Sequence, residues 1–285
     1  MSAENAAGTP PLLDVKNLSV RYPLRSGVVE AVRGVSFVLG RERLGIVGES
    51  GSGKSQTGRA ILGLTPQPGI VAADRLRFDG IDLLSLPPRE MRRLRGRRIS
   101  MVMQDPKYSL NPVMTVGAQI VEACRVQKLA GGRAAKDRAL DMLAAVKIDD
   151  PRRVFGLYPH ELSGGMGQRA MIAMMLVGEP DLLIADEPTS ALDVTIQLEV
   201  LKILDELVAT RGMGLVFISH DLRLVASFCD RVLVMYGGRI VEEVAAARLG
   251  EAGHPYTRGL LGSAPRLSGS VHPLPVLERD PAWLA

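Results

Sequence analysis

The run Gly48-Glu49-Ser50-Gly51-Ser52-Gly53-Lys54-Ser55 limits the folds open to this chain more than any other stretch. It follows an apolar segment, Leu44 to Val47, and leads into a helix-compatible segment from Lys54 to Leu62. Strand, glycine loop and helix in that order match the phosphate-loop pattern G-x-x-x-x-G-K-[ST] at every fixed position. Glycines at 48, 51 and 53 let successive backbone N–H groups turn inward without a Cβ clash, and with Ser50 and Ser52 they form a concave anion nest. The helix adds the positive end of its dipole to the same place. Lys54 has the reach for β- and γ-phosphates, the Ser55 hydroxyl can ligate Mg²⁺, and Gln56 follows in the first turn. An ordinary Gly/Ser turn before a helix is the alternative, and both flanks argue against it. The run reads as a nucleoside-triphosphate site in an α/β chain.

At 285 residues, the chain has room for one large domain or two small ones. Hydrophobic residues make up 46% and charged ones 23%, enough for a full core. The net charge of +4 points to no particular partner. Cys124 and Cys229 are the only cysteines and form no C-x-x-C spacing, which excludes a disulfide framework and argues against a metal site. No stretch approaches the roughly 18 apolar residues that span a bilayer. Met1 to Pro11 has neither a basic n-region nor an apolar h-region and reads as a flexible tail. A soluble, cytosolic protein is expected.

Leu12–Tyr22 and Val28–Leu39 alternate partly and read as strands joined by a hairpin at Pro23–Gly27. Arg75–Phe78 is a further strand, Pro87-Pro88 opens a short helix through Arg95, and Ile99–Met103 is a strand followed by a loop to Pro112. Residues 115–178 differ in kind: Thr115–Lys128, Arg133–Lys147 and a segment after Gly164-Gly165 all read as helices, an all-helical lobe inserted in the α/β core. Alternation then resumes, with strands at Leu182–Ala185, Leu215–Ser219 and Val232–Tyr236 and helices at Thr195–Thr210 and Leu222–Phe228. These apolar runs are continuous, as a parallel sheet buried on both faces requires. Gly237-Gly238 turns the chain into Arg239–Glu243, and residues 263–285, with four prolines, read as a short, loosely structured extension.

Two more features carry chemistry. Leu182-Leu183-Ile184-Ala185 delivers Asp186 and Glu187 to the C-terminal edge of a sheet, where ligands of open α/β sheets bind. Asp186 is placed to orient Mg²⁺ and its waters, and Glu187 to act as general base toward the attacking water. Alone, such a strand end is more often structural; the phosphate loop upstream shifts the balance. Leu162-Ser163-Gly164-Gly165-Met166-Gly167 opens a helix and offers a second anion-binding N-terminus, although an isolated run of this kind would be a plain serine cap.

In this order the motifs resemble the ATP-binding subunit of an ABC transporter. Gln104 sits where that family has its Q-loop, Ser190-Ala191-Leu192-Asp193 where it has its D-loop, and His220 where it has its switch histidine. Tyr22 matches the aromatic that stacks on adenine. The resemblance spans residues 12–262 and implies an ABC-type P-loop NTPase core with an antiparallel β subdomain and an inserted α-helical subdomain. Tyr158 to Met166, Ala185 to Thr195 and His254-Pro255-Tyr256-Thr257 are similar to the oligopeptide, dipeptide and nickel importer group. Met166, in place of the usual glutamine, fits that group; Gly167 departs from the longer side chain expected there. Many peptide-importer ATPases carry a cysteine-bearing C-terminal extension, whereas this tail has no cysteine, which also resembles nickel-importer subunits.

The resemblance implies ATP and Mg²⁺ as cofactors. Gly48, Ser50, Gly51, Ser52, Gly53, Lys54, Ser55 and Gln56 would hold the phosphates, and Ser55, Gln104 and Asp186 the metal. Two ATPase subunits would pair head to tail, each ATP lying between one phosphate loop and the Ser163-Gly164-Gly165 of the other, with Asp193 also among the nucleotide-binding residues. His220 would hold the γ-phosphate and attacking water beside Glu187. Expected partners are two integral-membrane permeases, a second ATPase subunit (a different chain first, a second copy of this one as the alternative), and an extracytoplasmic solute-binding protein, with the chain on the cytoplasmic face of the membrane and no nucleic acid. Peptides are the expected cargo, a nickel or metal chelate the alternative. Rivals are a soluble ABC ATPase acting on nucleic acid or ribosomes, and a non-catalytic nucleotide scaffold. Six arginines between Arg89 and Arg98 read first as a solvated helix face, then as a lipid or nucleic-acid contact; no interleaved aromatics support base stacking.

Overall fold

The computed structural model describes residues 10–104, 106–190, 192–263, 280 and 283. Most of the expected N-terminal tail and of the 263–285 extension lies outside the described residues. Strands β1 (Leu13–Leu24) and β2 (Gly27–Leu39) form a long antiparallel hairpin, followed by β3 (Arg43–Val47) and helix α1 (Lys54–Ile61). Then come β4 (Ile70–Ala72), β5 (Arg75–Phe78), β6 (Ile81–Asp82), α2 (Pro88–Leu94), β7 (Ile99–Val102) and the short α3 (Pro106–Ser109). Helices α4 (Val116–Val126), α5 (Gly132–Ala145), α6 (Pro151–Gly156) and α7 (Gly164–Leu176) follow one another. The remainder alternates: β8 (Leu182–Asp186), α8 (Val194–Arg211), β9 (Gly214–Ser219), α9 (Leu222–Phe228), β10 (Arg231–Tyr236), β11 (Arg239–Ala245) and α10 (Pro255–Ser263).

Two sheets result. The first is antiparallel, in the order β2-β1-β5-β6 with β4 also on β1. The second has the order β11-β10-β3-β9-β8-β7, with all but the antiparallel β11 running parallel. Its parallel strands are largely apolar because both of their faces are covered. Leu44, Ile46, Leu182, Ile184, Val216, Ile218, Leu233 and Met235 join one core with α1 and the first sheet. Their neighbours in sequence, among them Val47, Leu183, Ala185, Leu215, Phe217, Val232 and Val234, join another with α4, α5, α7, α8 and α9. Each such side chain removed from water contributes about 1.5–3 kcal/mol, so period-two burial on both faces fixes the strand register firmly.

Helix ends follow local chemistry. Thr115, Asp150, Ser163, Asp193 and Asp221 each accept a first-turn N–H at the start of α4, α6, α7, α8 and α9. Gly212 closes α8 at φ 59°, a left-handed conformation that a Cβ disfavours. Arg98, from the arginine run, pairs with Asp79 beyond β5 and with Asp181 ahead of β8, tying the first sheet to the second. Arg95 donates to the Leu62 and Gly63 carbonyls at the end of α1, 2.8 Å each. Arg89, Arg92, Arg93 and Arg97 are exposed.

Three expectations change. The segment to Pro112, expected as loop, contains α3; its first residue, Pro106, has the fixed φ that suits a first helical turn. Residues 151–156 form α6, too short to register as periodicity. The chain beyond Glu243 extends β11 to Ala245 and then forms α10, whose Tyr256 and Thr257 are fully buried.

Candidate functional site

The topology of the second sheet gathers the chemistry. Strands β3, β9, β8 and β7 lie side by side and parallel, so the residues just past their C-terminal ends share one edge. Those residues are the loop opening at Gly48, His220, Glu187 and Gln104.

The loop is seated tightly. A Cβ on Gly48 would lie 2.1 Å from the Met235 carbonyl oxygen, and one on Gly53 would lie 2.4 Å from that of Ala31. Both glycines also have positive φ, 153° and 99°. Ser52 N–H donates to the Glu49 carbonyl (3.1 Å), Gly238 N–H to that of Ser52 (3.1 Å), and Thr57 Oγ1 to that of Gly53 (3.0 Å). Lys54 Nζ donates to the Gly48 and Glu49 carbonyls, both at 2.8 Å, and to Ser52 Oγ at 3.4 Å. Burial pushes the Lys54 pKa down, against the pull of Glu187, Asp186 and Glu49. Glu49 N–H donates to Tyr256 Oη from α10, 3.0 Å away.

Ser55 Oγ donates to Asp186 Oδ1 at 2.8 Å. Burial raises the Asp186 pKa, an effect that the Ser55 hydroxyl, Arg59 and Lys54 oppose and the Glu187 charge adds to. A hydroxyl and a buried carboxylate in contact are hard oxygen donors, a set that fits a small divalent cation such as Mg²⁺. A cation held there would stabilise the ionised Asp186 carboxylate, which loss of solvation by burial disfavours.

Glu187 collects donors from both sides. Gln104 Nε2 donates to its Oε2 at 3.2 Å, and His220 Nδ1 lies 3.3 Å from the same oxygen. The three come from the ends of β7, β8 and β9, so the sheet itself brings them together. Glu187 N–H donates to the Ile218 carbonyl at 2.9 Å, and the residue has φ 48°. The carboxylate is thereby turned away from the strand direction and held. Gln104, expected at the metal, directs its amide to Glu187.

Tyr22, on β1, reaches α1 through its hydroxyl, which donates to Gln56 Oε1 at 2.8 Å. The structure places Ser163, Gly164, Gly165 and Asp193 elsewhere. Ser163 Oγ accepts from Met166 N–H at 3.4 Å, and Asp193 Oδ1 from Ile196 N–H at 3.0 Å. A Cβ on Gly164 would face Leu192, and one on Gly165 would press on Ile196 at 2.7 Å. The two serine–glycine and aspartate caps thus share the seam between α7 and α8. Sequence reasoning missed Gln168, buried on α7, whose amide donates to the Pro188 carbonyl and so holds the turn after Glu187. A polar residue amid Ala170, Met171 and Ile172 was the signal that could have found it.

A family profile described as ABC transporter matches residues 32–190. The chain belongs to the ABC transporter family. It is an ATP-binding cassette, and like its family it is an ATPase. The oligopeptide transport ATP-binding protein OppD of Haemophilus influenzae is 46% identical over 273 residues, 95% of this chain and 84% of that protein. The dipeptide transport ATP-binding protein DppD of the same species is 49% identical over 259 residues, 90% of this chain and 78% of that one. Among solved structures, a dimeric ATP-binding cassette in a post-hydrolysis state with ADP and Pi aligns with TM-score 0.72 at 27% identity, covering 82% of this ABC chain and 98% of that one. No helix among the described residues is long and apolar enough to cross a membrane.

Proposed function

We propose that this ABC ATPase powers an importer, coupling ATP binding and hydrolysis to the uptake of peptides through two partner permeases at the cytoplasmic face of the membrane. The convergence of Gln104 and His220 on Glu187, beside the phosphate loop, is the observation that carries the hydrolytic part. Lys54 and the loop N–H groups bind the phosphates; Glu187 accepts a proton from the attacking water; Gln104 and His220 hold its carboxylate in place. Ser55 and Asp186 would hold Mg²⁺, which when bound would neutralise charge on the β- and γ-phosphates. The peptide cargo is supported by relatives of 46–49% identity that are named for oligopeptide and dipeptide transport. That similarity favours peptides over a nickel or metal chelate.

Position also supports a paired active site. Ser163, Gly164, Gly165 and Asp193 lie at the α7–α8 seam, so they serve the phosphate loop of a second ATPase subunit, as the dimeric assembly of the related cassette suggests. That second subunit is a different chain, and a solute-binding protein delivers the cargo from outside. The test is a tagged pull-down from native membranes with the co-purifying proteins identified by mass. Two multi-span permeases, a second ATPase and a peptide-binding protein are expected. Ribosomes, nucleic acid or soluble partners alone would overturn the transport reading and leave the ATPase intact.

A further inference from the structure

The motif His254-Pro255-Tyr256-Thr257 takes no part in the chemistry above, yet it ends on the phosphate loop. Its seat is built from several elements. Glu242 Oε1, on β11, accepts the N–H groups of Gly253 (2.6 Å) and His254 (3.2 Å), and His254 Nδ1 accepts that of Tyr256 (3.1 Å). These bonds fix the start of α10. Tyr256 is fully buried, its ring 4.6 Å from that of Tyr236 at the end of β10. Trp283, the chain's single tryptophan, closes the cluster at 5.6 Å from Tyr236, 5.8 Å from Tyr256 and 6.0 Å from His254.

The hydroxyl at the tip of this cluster accepts the Glu49 N–H. That N–H belongs to the same peptide unit as the Gly48 carbonyl, whose oxygen accepts from Lys54 Nζ. The Gly48–Glu49 peptide is therefore clamped at both ends, by Lys54 on its oxygen and by Tyr256 on its nitrogen. Only one of these clamps is free to change. Lys54 must turn its ammonium to the phosphates to do its work, and the Gly48 oxygen then loses that partner. Tyr256, locked by packing, keeps its bond and holds the peptide plane.

We propose that Tyr256 is a positioning residue for the phosphate loop, which it holds in its nucleotide-binding shape from the C-terminal end of the chain, with Trp283 wedging the ring behind it. This rests on the reading of Gly48–Ser55 as the ATP site. A buried tyrosine needs a partner in any case, so a purely structural role is the competitor.

Tyr256→Phe separates the two, because it keeps the ring and removes one oxygen. ATP binding is measured first on the wild-type full chain, with Trp283 emission as one readout; absence of binding overturns both the site and the proposal. Given binding, Tyr256→Phe is expected to raise the KM for ATP roughly 3- to 10-fold with kcat within about twofold, the loss matching one net hydrogen bond. The nucleotide-induced change in Trp283 emission, present in the wild type, is expected to fall in the variant at saturating ATP. Trp283→Leu should raise KM in the same direction by less. An unchanged KM, or a drop in kcat and thermal midpoint with KM unmoved, would overturn the proposal.

Discussion

Glu187 holds its backbone at φ 48°, where a side chain costs on the order of 1–2 kcal/mol. The cost is sustained because it turns the carboxylate toward Gln104 and His220. Glu187→Gln keeps the shape and removes the base, so hydrolysis should slow by about 10²- to 10⁴-fold while ATP binding persists; phosphate release and nucleotide retention measure the two. Asp186 offers a second prediction. Burial holds its pKa above the unfolded value, so the folded state binds a proton more tightly and loses stability as pH rises through that window. Asp186→Asn should therefore raise the thermal midpoint at pH 7 without Mg²⁺, by roughly 1–4 °C, with the gain vanishing below about pH 4. The same variant should abolish Mg²⁺-dependent turnover. Pairs of this kind were legible in the sequence as to residue, since strand ends and the glycine loop announce themselves. Their orientation was not, because nothing in a sequence says that Gln104 and His220 meet on one oxygen.

At the scale of elements, legibility followed length. Helices α4, α5 and α8 have 11, 14 and 18 residues, long enough for an apolar stripe to repeat. Helix α3, with four residues, and strand β4, with three, complete scarcely more than one period, too little for a pattern to repeat, and surfaced only in the fold. Gly167 is the informative position between such elements. It lies in α7 facing α3, and a Cβ there would meet Pro106 at 3.8 Å, ordinary contact. Glycine within a helix costs about 0.5–1 kcal/mol relative to alanine. Gly167→Ala should therefore stabilise the protein by that amount, read from denaturant midpoints at constant slope. Gly117 gives the opposite case: its Cβ would fall 2.2 Å from Phe155, so Gly117→Ala should push α4 and α6 apart and cost about 1–3 kcal/mol.

For the molecule as a whole, the active site proposed above is divided between chains. The phosphate loop and Glu187 face one edge of the second sheet, while Ser163–Gly165 cap α7 at the other seam. Turnover by a fixed amount of this chain should then climb as the second ATPase subunit is titrated in, until pairing saturates, and Glu187→Gln with ATP should lengthen the life of the pair in sedimentation. A rate indifferent to the second subunit would mean that one chain suffices. The motifs named both halves, but only the family resemblance implied that they serve different copies, because chain order carries no information about which copy a helix end serves.

The odd and even residues of β3, β8, β9 and β10 face different cores, and this divides the tolerance of the protein to change. Leu183 and Ile184 are neighbours in sequence, yet a void opened by shortening one cannot be refilled by enlarging the other. Repair must come from the same side: from α1 or the first hairpin for Ile184, from the helices for Leu183. Changes on the helical side can therefore be absorbed there without disturbing the packing against α1 and the first hairpin, provided each is matched within its own compartment.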